Sequence, residues 1–526
     1  MEQNGMRLRK RLLAVMSIAA LAAGLGACVP GQEAGGTKAP LKLNFFLPTN
    51  GNAVLNDGDF VKKTIEERFN VRLQVTAVPS IQAKEKLNLL IASGSTPDLF
   101  VIDGRSSLDY HAMGIIGDLS GLMTPEKMPN YYRWTTQKEV GGFQFPGAYN
   151  RGPVLIERKV QASYYIRKDW LDALGLSVPT GYEELTAVAR AFTHDDPDGN
   201  GADDTYGFGI TGGGSFPQTF PLAFPQFMKN GILGMAYVDD EGYYHDGTSD
   251  PLMGRVVDDI VSWVDEGLLN PDWFMAGGSE LGEAFARGKI GMIWLNGTDR
   301  WVLDADPNSF YSQLKRNVPD AEVVPFNPYP NKPLITPQSA TVPWLIGKRT
   351  IERYPEKAET IVGIVDWLAS EEGYLLTTYG QEGVHYTREG SVITIVPEAY
   401  EKEIAQKGNF LTVWKFLTPR ESSRLGLQEV DPRLTERDRD ILRTISSYPL
   451  AQGNGTLVLP PEGISIADFR AKLGQYLQKM LFEDRGGAAW VTYREELMTT
   501  HKGRLIFREY IRQMQAAGIA VKNDFD

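Results

Sequence analysis

A single cysteine, Cys28, stands in 526 residues, so no intramolecular disulfide can form and the fold must hold by packing alone. His111, His194, His245, His385 and His501 are scattered along the chain. None has the HExxH spacing that sets two imidazoles and a general base on one helix face, so a zinc hydrolase has no support. A GxSxG nucleophile elbow is absent too. Positive charge is in deficit: 54 Lys and Arg against 66 Asp and Glu leave a net charge of −12. Phosphate backbones need clustered cations, and nucleic acid is therefore not an expected partner. Beyond Cys28 no stretch reaches the roughly 18 uncharged apolar residues of a membrane-spanning helix, and no repeat at a solenoid period occurs.

What the chain does have begins at its amino end. Arg7, Arg9, Lys10 and Arg11 precede residues 12–27, which carry no charge, and Leu25 is followed by the small Gly26 and Ala27 before Cys28. That is the order of an export signal. The run is short of the ~20 residues a spanning helix needs. The pattern resembles a bacterial lipobox, which implies a signal peptide over 1–27, cleavage before Cys28, and a diacylglycerol on its thiol. Cleavage removes four basic residues and one acid, Glu2, taking the net charge from −12 to −15. Acyl chains hold to a bilayer by apolar burial, about 0.8 kcal/mol per methylene, so an acidic surface does not oppose this anchor. The expected location is the extracytoplasmic face of the cell membrane. Residues 28–40 are rich in Gly, Pro and Ala without hydrophobic period; such a linker of twelve residues or so reaches on the order of 20 Å.

Order is expected from Leu41. Residues 41–47 alternate as a strand, 60–69 have helical spacing, 71–78 alternate again, 83–92 are helical, and 98–102 form a short buried strand. Strands alternating with helices imply an α/β fold with a largely parallel sheet. Ligands of such sheets bind beyond the carboxyl ends of strands, which nominates Asn50 and Asp103 on the two post-strand loops; capping a turn is the alternative role for both. Around 163–171 a second strand runs into a helix. Thr180 is the expected N-cap of the next helix, with Glu183 three residues on as in a capping box.

Four stretches together carry a family resemblance: Leu89-Leu90-Ile91-Ala92-Ser93-Gly94-Ser95-Thr96-Pro97-Asp98-Leu99, residues 164–185, Phe285-Ala286-Arg287-Gly288-Lys289-Ile290-Gly291-Met292, and Tyr354-Pro355-Glu356-Lys357-Ala358 leading to Trp367-Leu368. In this order, over about residues 41–385, the chain resembles the extracellular solute-binding proteins of ABC importers. It is most similar to their large lipoprotein branch, whose members bind oligosaccharides, including alginate. The resemblance implies a two-lobed periplasmic-binding-protein-like fold, with a cleft between the lobes and hinge crossovers joining them. Lobe one would take residues 41–158 and 338–385, and lobe two 159–337 and 386–526 with the C-terminal helices. It also implies an oligosaccharide ligand, the importer's membrane subunits as partners, and no catalysis.

The sharpest local signal is Asp196-Pro197-Asp198-Gly199-Asn200-Gly201-Ala202-Asp203-Asp204. Counted from Asp196, oxygen side chains fall at loop positions 1, 3, 5 and 9 through Asp196, Asp198, Asn200 and Asp204, with Gly201 at the sharp turn and the Ala202 carbonyl next, the pattern of a calcium loop. A structural Ca²⁺ is expected, with a solvated Asp/Gly/Asn turn as the alternative. Gly207 stands where an EF-hand has its bidentate Glu, and Thr205 where alginate-binding relatives have an acid.

For the cleft, indole faces suit the apolar C–H faces of sugar rings, and amides or carboxylates suit the hydroxyls. Trp294, Asn296 and Trp301 follow one expected strand, Trp344 lies near the second crossing, and Trp273 is a looser candidate; Trp170 and Trp367 fit helical core patterns instead. Two other classes stay open on sequence: a surface-anchored glycoside hydrolase or lyase using paired carboxylates, which leave no local motif, and a binding protein that reports to a membrane kinase.

Overall fold

A computed structural model describes residues 39–525 apart from 50–52, 105, 146, 155–161, 216–219, 297–298, 333, 337–341 and 454–455. Cys28, the signal segment and Asn50 lie outside the described residues. The chain divides into a unit up to Pro40 and a compact unit Leu41–Asp526, and the latter is described below.

In chain order the strands are β1 Leu41–Thr49, β2 Val71–Pro79, β3 Leu99–Val101, β4 Gly152–Pro153, β5 Ala162–Arg167, β6 Tyr206–Gly209, β7 Ala236–Val238 and β8 Tyr244–Asp246. There follow β9 Ile290–Asn296, β10 Val323–Phe326, β11 Leu334–Thr336, β12 Pro343–Ile346, β13 Tyr386–Glu389, β14 Val392–Ile395, β15 Gln428–Val430 and β16 Leu450–Gln452. Two mixed sheets organise the molecule. One has the order β2-β1-β3-β12-β4, the other β10-β5-β9-β6. In the first, β1 runs parallel to β2 and β3, while β12 is antiparallel to β3 and β4. In the second, β6 and β9 are parallel and β5 is antiparallel to β9.

The strand β1 shows why the first sheet sits where it does. Its burial alternates over Leu41–Asn44 and is continuous from Phe45 to Thr49, as expected where helices cover both faces only near the carboxyl edge. The helix Phe60–Phe69 starts on Asp59, whose Oδ1 accepts from the Lys62 amide at 3.0 Å. Asp59 Oδ2 accepts from the Trp414 indole at 2.9 Å, tying a late segment to the start of this helix. Burial raises the Asp59 pKa. At the next expected cap the register differs: Gly181 is the N-cap of Tyr182–His194, and Glu184, not Glu183, reaches back to the Thr180 amide and hydroxyl at 2.8 and 3.0 Å. One residue further along is what lets the carboxylate reach.

Each sheet has its own core. Leu43, Phe45, Leu99, Val101, Trp344, Ile361 and Trp367 pack in one cluster, and Trp170, Phe192, Phe208, Trp263 and Met292 in another. Packing divides the stretch 386–526 that the resemblance assigns to the second lobe. Tyr386, Ile393, Ile404, Phe410, Trp414 and Leu427 join the first core, whereas Phe469, Leu473, Trp490, Phe507 and Met514 join the second. Helical apolar periodicity marks a buried face without saying against which lobe it packs.

One connection joins two sheet edges. Pro153 of β4 pairs with Pro343, at the carboxyl edge of β3, and Ala162 of β5 lies opposite Asn296, at the carboxyl edge of β9. Only residues 154–161 separate these points, a connection that spans at most about 30 Å. Among the described residues no helix is long and apolar enough to cross a membrane.

Candidate functional site

The site is built on the carboxyl edges of β6 and β9. Trp294 is the third residue from the end of β9, opposite Tyr164 in register, and half-buried against the second core. Beyond β6 come Ile210 and Thr211, with the Ile210 amide donating to Asn270 Oδ1 at 2.8 Å. These residues line a cavity of about 190 Å³ together with Leu281, Phe285, Trp301 and Phe310. Trp301, from the short helix Asp299–Val302, is 39% exposed and lies at 4.4 Å between ring centroids on Phe310, tilted by 33°. Phe310 in turn lies on Gly282, where an added Cβ would come within 1.8 Å of the ring. Gly282 thus lets the helix Gly278–Ala286 accept a flat aromatic ring, and that ring supports Trp301. A concave, mostly apolar wall with a half-exposed indole is suited to a sugar face.

The loop after β6 closes one side of this wall. Gly212 and Gly214 donate to the carbonyls of Trp273 and Phe274 at 2.8 Å each, and Gly213 to Ala276 at 3.1 Å. Gly213 and Gly214 have φ of 57° and 73°, and a Cβ at Gly212 would meet the Phe274 carbonyl at 2.5 Å, so glycines are required here. Three successive glycines, Gly212 to Gly214, mark this loop in the sequence. Phe310 and Gly282 carry no such mark, because their role exists only in each other's presence.

The indole candidates part company. Trp294 and Trp301 line the cavity. Trp344 does not: it is fully buried in β12, and its ring fills the space where Gly152 would carry a Cβ, 1.9 Å away. Trp273 is 6% exposed and packs edge-on to Phe224 and Phe274, and is likewise core. Trp344 is a candidate for its place near the second crossing and Trp273 for following Asn270-Pro271-Asp272, yet a close glycine buries the one and a cluster of phenylalanines the other. Trp170 and Trp367 are buried, as their helical patterns imply. Asn296 ends β9, opposite Ala162, and its side chain lies outside the described residues.

On the first sheet, Asp103 is exposed just past β3. Its Oδ1 accepts from the Ser106 amide at 2.8 Å, so it caps the helix Ser106–Ala112 as well as standing at the carboxyl edge. Behind it Arg151 is buried, donating to the carbonyls of Phe143 at 2.8 Å and Gly104 at 3.5 Å, with its guanidinium 4.7 Å over Phe145. Burial lowers the Arg151 pKa to about 10, and the nearby Asp103 charge opposes that fall. The guanidinium therefore stays charged at neutral pH and holds the post-β3 loop in place.

A larger cavity, about 440 Å³, opens at the opposite edge of the first sheet between Asn44, Gln74, Arg349 and Lys357. It is the roomier of the two, but it lies at the amino ends of the strands, and its Asp98 is already held by Lys357 at 3.0 Å and Thr350 at 2.9 Å. The carboxyl edges, where the chain crosses between sheets, carry the stronger claim.

The acidic loop folds on itself. Asp196, at φ 49°, accepts from the Asn200 and Gly201 amides, both at 3.0 Å; Asn200 Nδ2 donates to Asp198 at 2.8 Å and to Asp204 at 3.3 Å. Lys289 forms an ion pair with the other oxygen of Asp204. As they stand, no three His, Cys, Asp or Glu side chains among the described residues are gathered closely enough to hold a metal ion. The donor chemistry nevertheless fits a hard cation, oxygen atoms on a tight turn, and the Lys289 ammonium stands in for one. Gly207 explains the missing twelfth-position Glu: a Cβ there would lie 2.3 Å from the Ala189 carbonyl, so no side chain can project from it.

Comparison with known proteins adds the following. Residues 52–374 match the family described as Bacterial extracellular solute-binding protein. Lipoprotein LipO of Bacillus subtilis (strain 168) is 22% identical over 496 residues, 91% of each chain. The Polygalacturonan/rhamnogalacturonan-binding protein YtcQ of the same organism is 26% identical over 342 residues, 62% of this chain and 63% of that one. Among solved structures, an HMO binding ABC-transporter associated solute binding protein from Bifidobacterium longum infantis superposes with a TM-score of 0.67 at 17% identity, covering 92% of this chain and all 100% of that one. The alginate-binding protein AlgQ2 without calcium ion gives 0.64 at 16% identity, covering 92% and 99%.

Proposed function

Because the chain belongs to the bacterial extracellular solute-binding proteins, which bind and do not catalyse, we propose that it is the receptor of an ABC importer for an oligosaccharide. One observation carries this: Trp294 and Trp301 line a cavity at the carboxyl edge of β9, with Phe310 beneath Trp301. Polar contacts would come from Asp103 across the cleft and from the backbone of the loop 211–215. A ligand touching both sheet edges favours the closed arrangement of the lobes by its differential affinity, and closure is what membrane subunits can sense. The similarity to YtcQ and to the alginate-binding protein supports sugar as the ligand class.

Anchoring at the extracytoplasmic face through an acylated Cys28 belongs to this reading, supported by the small residues before the cysteine and by the likeness to a lipoprotein. So does a structural calcium ion held by Asp196, Asp198, Asn200, the Ala202 carbonyl and Asp204, which would neutralise the loop's acids.

Titration calorimetry of the purified protein against oligosaccharides, acidic ones included, tests the proposal. Stoichiometric binding without new reducing ends is expected, with a smaller radius of gyration in saturating ligand and about tenfold weaker binding for Trp301→Ala. Turnover of the sugar, or unchanged affinity in the variant, would reject it.

A further inference from the structure

We propose that Lys289 is the internal counter-cation of the loop 196–204, and that calcium binds there by exchanging with its ammonium, so that this side chain sets the loop's calcium affinity. The inference rests on the calcium reading above and goes beyond it. Gly207 closes the twelfth position against Ala189, so the acids of the loop itself, with Asp204 at its ninth position, carry the negative charge. Asp204 is the carboxylate that Lys289 holds in an ion pair. The acids face one another: Asn200 Nδ2 donates to both Asp198 and Asp204, while the Asn200 amide donates to Asp196. Asp196, Asp198 and Asp204 need a cation, and in the ion-free loop Lys289 supplies it.

Exchange is open to solvent, since the side chains of Lys289 and Asp204 are 31% and 44% exposed. It also leaves the sheet alone. The Lys289 carbonyl accepts from the Tyr206 amide at 2.9 Å and β9 begins at the next residue, so the backbone is pinned while the four-carbon stem can swing away. Trp294 lies further along the same strand, about 16 Å away at the rise of an extended chain. Calcium occupancy is therefore expected to stabilise the loop without altering sugar affinity.

The test compares full-length wild type, Lys289→Met and Lys289→Arg by chelator competition for Ca²⁺, melting temperature in EDTA and in calcium, and sugar affinity. Removing an exposed competing charge is expected to tighten calcium binding by about fivefold. Lys289→Met in EDTA should melt below wild type, Lys289→Arg should keep wild-type calcium affinity, and sugar affinity should be unchanged throughout. Where the methionine variant does not fold, Lys289→Gln, with its polar tip, reads the same exchange. Calcium binding by wild type that the neutral variants do not tighten overturns the exchange and leaves the calcium site standing. Absence of calcium binding in every variant overturns both.

Discussion

His245 is held between two carboxylates, Asp250 at 2.8 Å from Nδ1 and Asp239 at 2.9 Å from Nε2, with its ring stacked 4.9 Å from Tyr237. The hydrogen bond to Asp250 raises its pKa most, burial opposes, and Asp239 adds to the rise, bringing it from 6.5 to about 9. Asp524 is a further charge near it, and Arg494 lies near both Asp250 and Asp524. A folded-state pKa above the unfolded one means the folded chain binds the proton more tightly. The stabilisation is then fully present below about pH 6.5 and is lost as pH climbs through about 9. On the order of 2–3 kcal/mol should disappear over that window in urea titrations of the wild type. His245→Gln should flatten the curve there; an equal slope in both proteins would assign the pH dependence elsewhere. The same scale explains the tryptophans, whose flanking residues look alike in sequence but whose burial is decided by single distant partners, Gly152 for Trp344 and Phe310 for Trp301.

Among the elements, the helix Gly278–Ala286 does two jobs, and Gly282 is where they meet. It buries Leu281 and Phe285 in a core shared with Tyr165 and Ile293, and it offers a Cβ-free patch to Phe310. The helix would be locally more favourable with alanine at this position. In Gly282→Ala the new methyl must displace the ring, and overpacking of this kind costs about 1–3 kcal/mol. The expected outcome is a lower urea midpoint together with severalfold weaker sugar binding, since Trp301 loses its support. A stable variant with undiminished affinity would show that the Phe310 shelf does not position the indole. Much of the element scale was legible in advance: the helix Phe60–Phe69 falls on its expected residues, and β1, β2 and β3 lie within two residues of theirs. What was not legible was the partner of each late element, because periodicity reports a buried face and not its destination.

At the scale of the whole molecule, the two sheets with separate cores share the edges at which the chain crosses from one to the other. A tether at the amino end would keep this body near its translocator, and the reach of residues 29–40 would set how near. Cys28→Ser is expected to move the protein from the membrane fraction to the medium while sugar affinity stays at its wild-type value, because the site is built wholly from residues beyond Leu41. Retention of the variant at the membrane, read by fractionation and acyl-chain labelling, would mean that another contact holds it.

The sequence alone determined the α/β class, the alternation of strand and helix in the first lobe, the oxygen donors of the acidic loop and the lipobox-like run before Cys28. All of these are patterns over a few consecutive residues, set by helical and strand periods and by the reach of neighbouring side chains. Tertiary structure alone decided which indoles meet solvent, why Gly207 cannot be a ligand, where Lys289 places its charge, and to which core residues 386–427 belong. Those are contacts between residues far apart in the chain, and no local spacing encodes them.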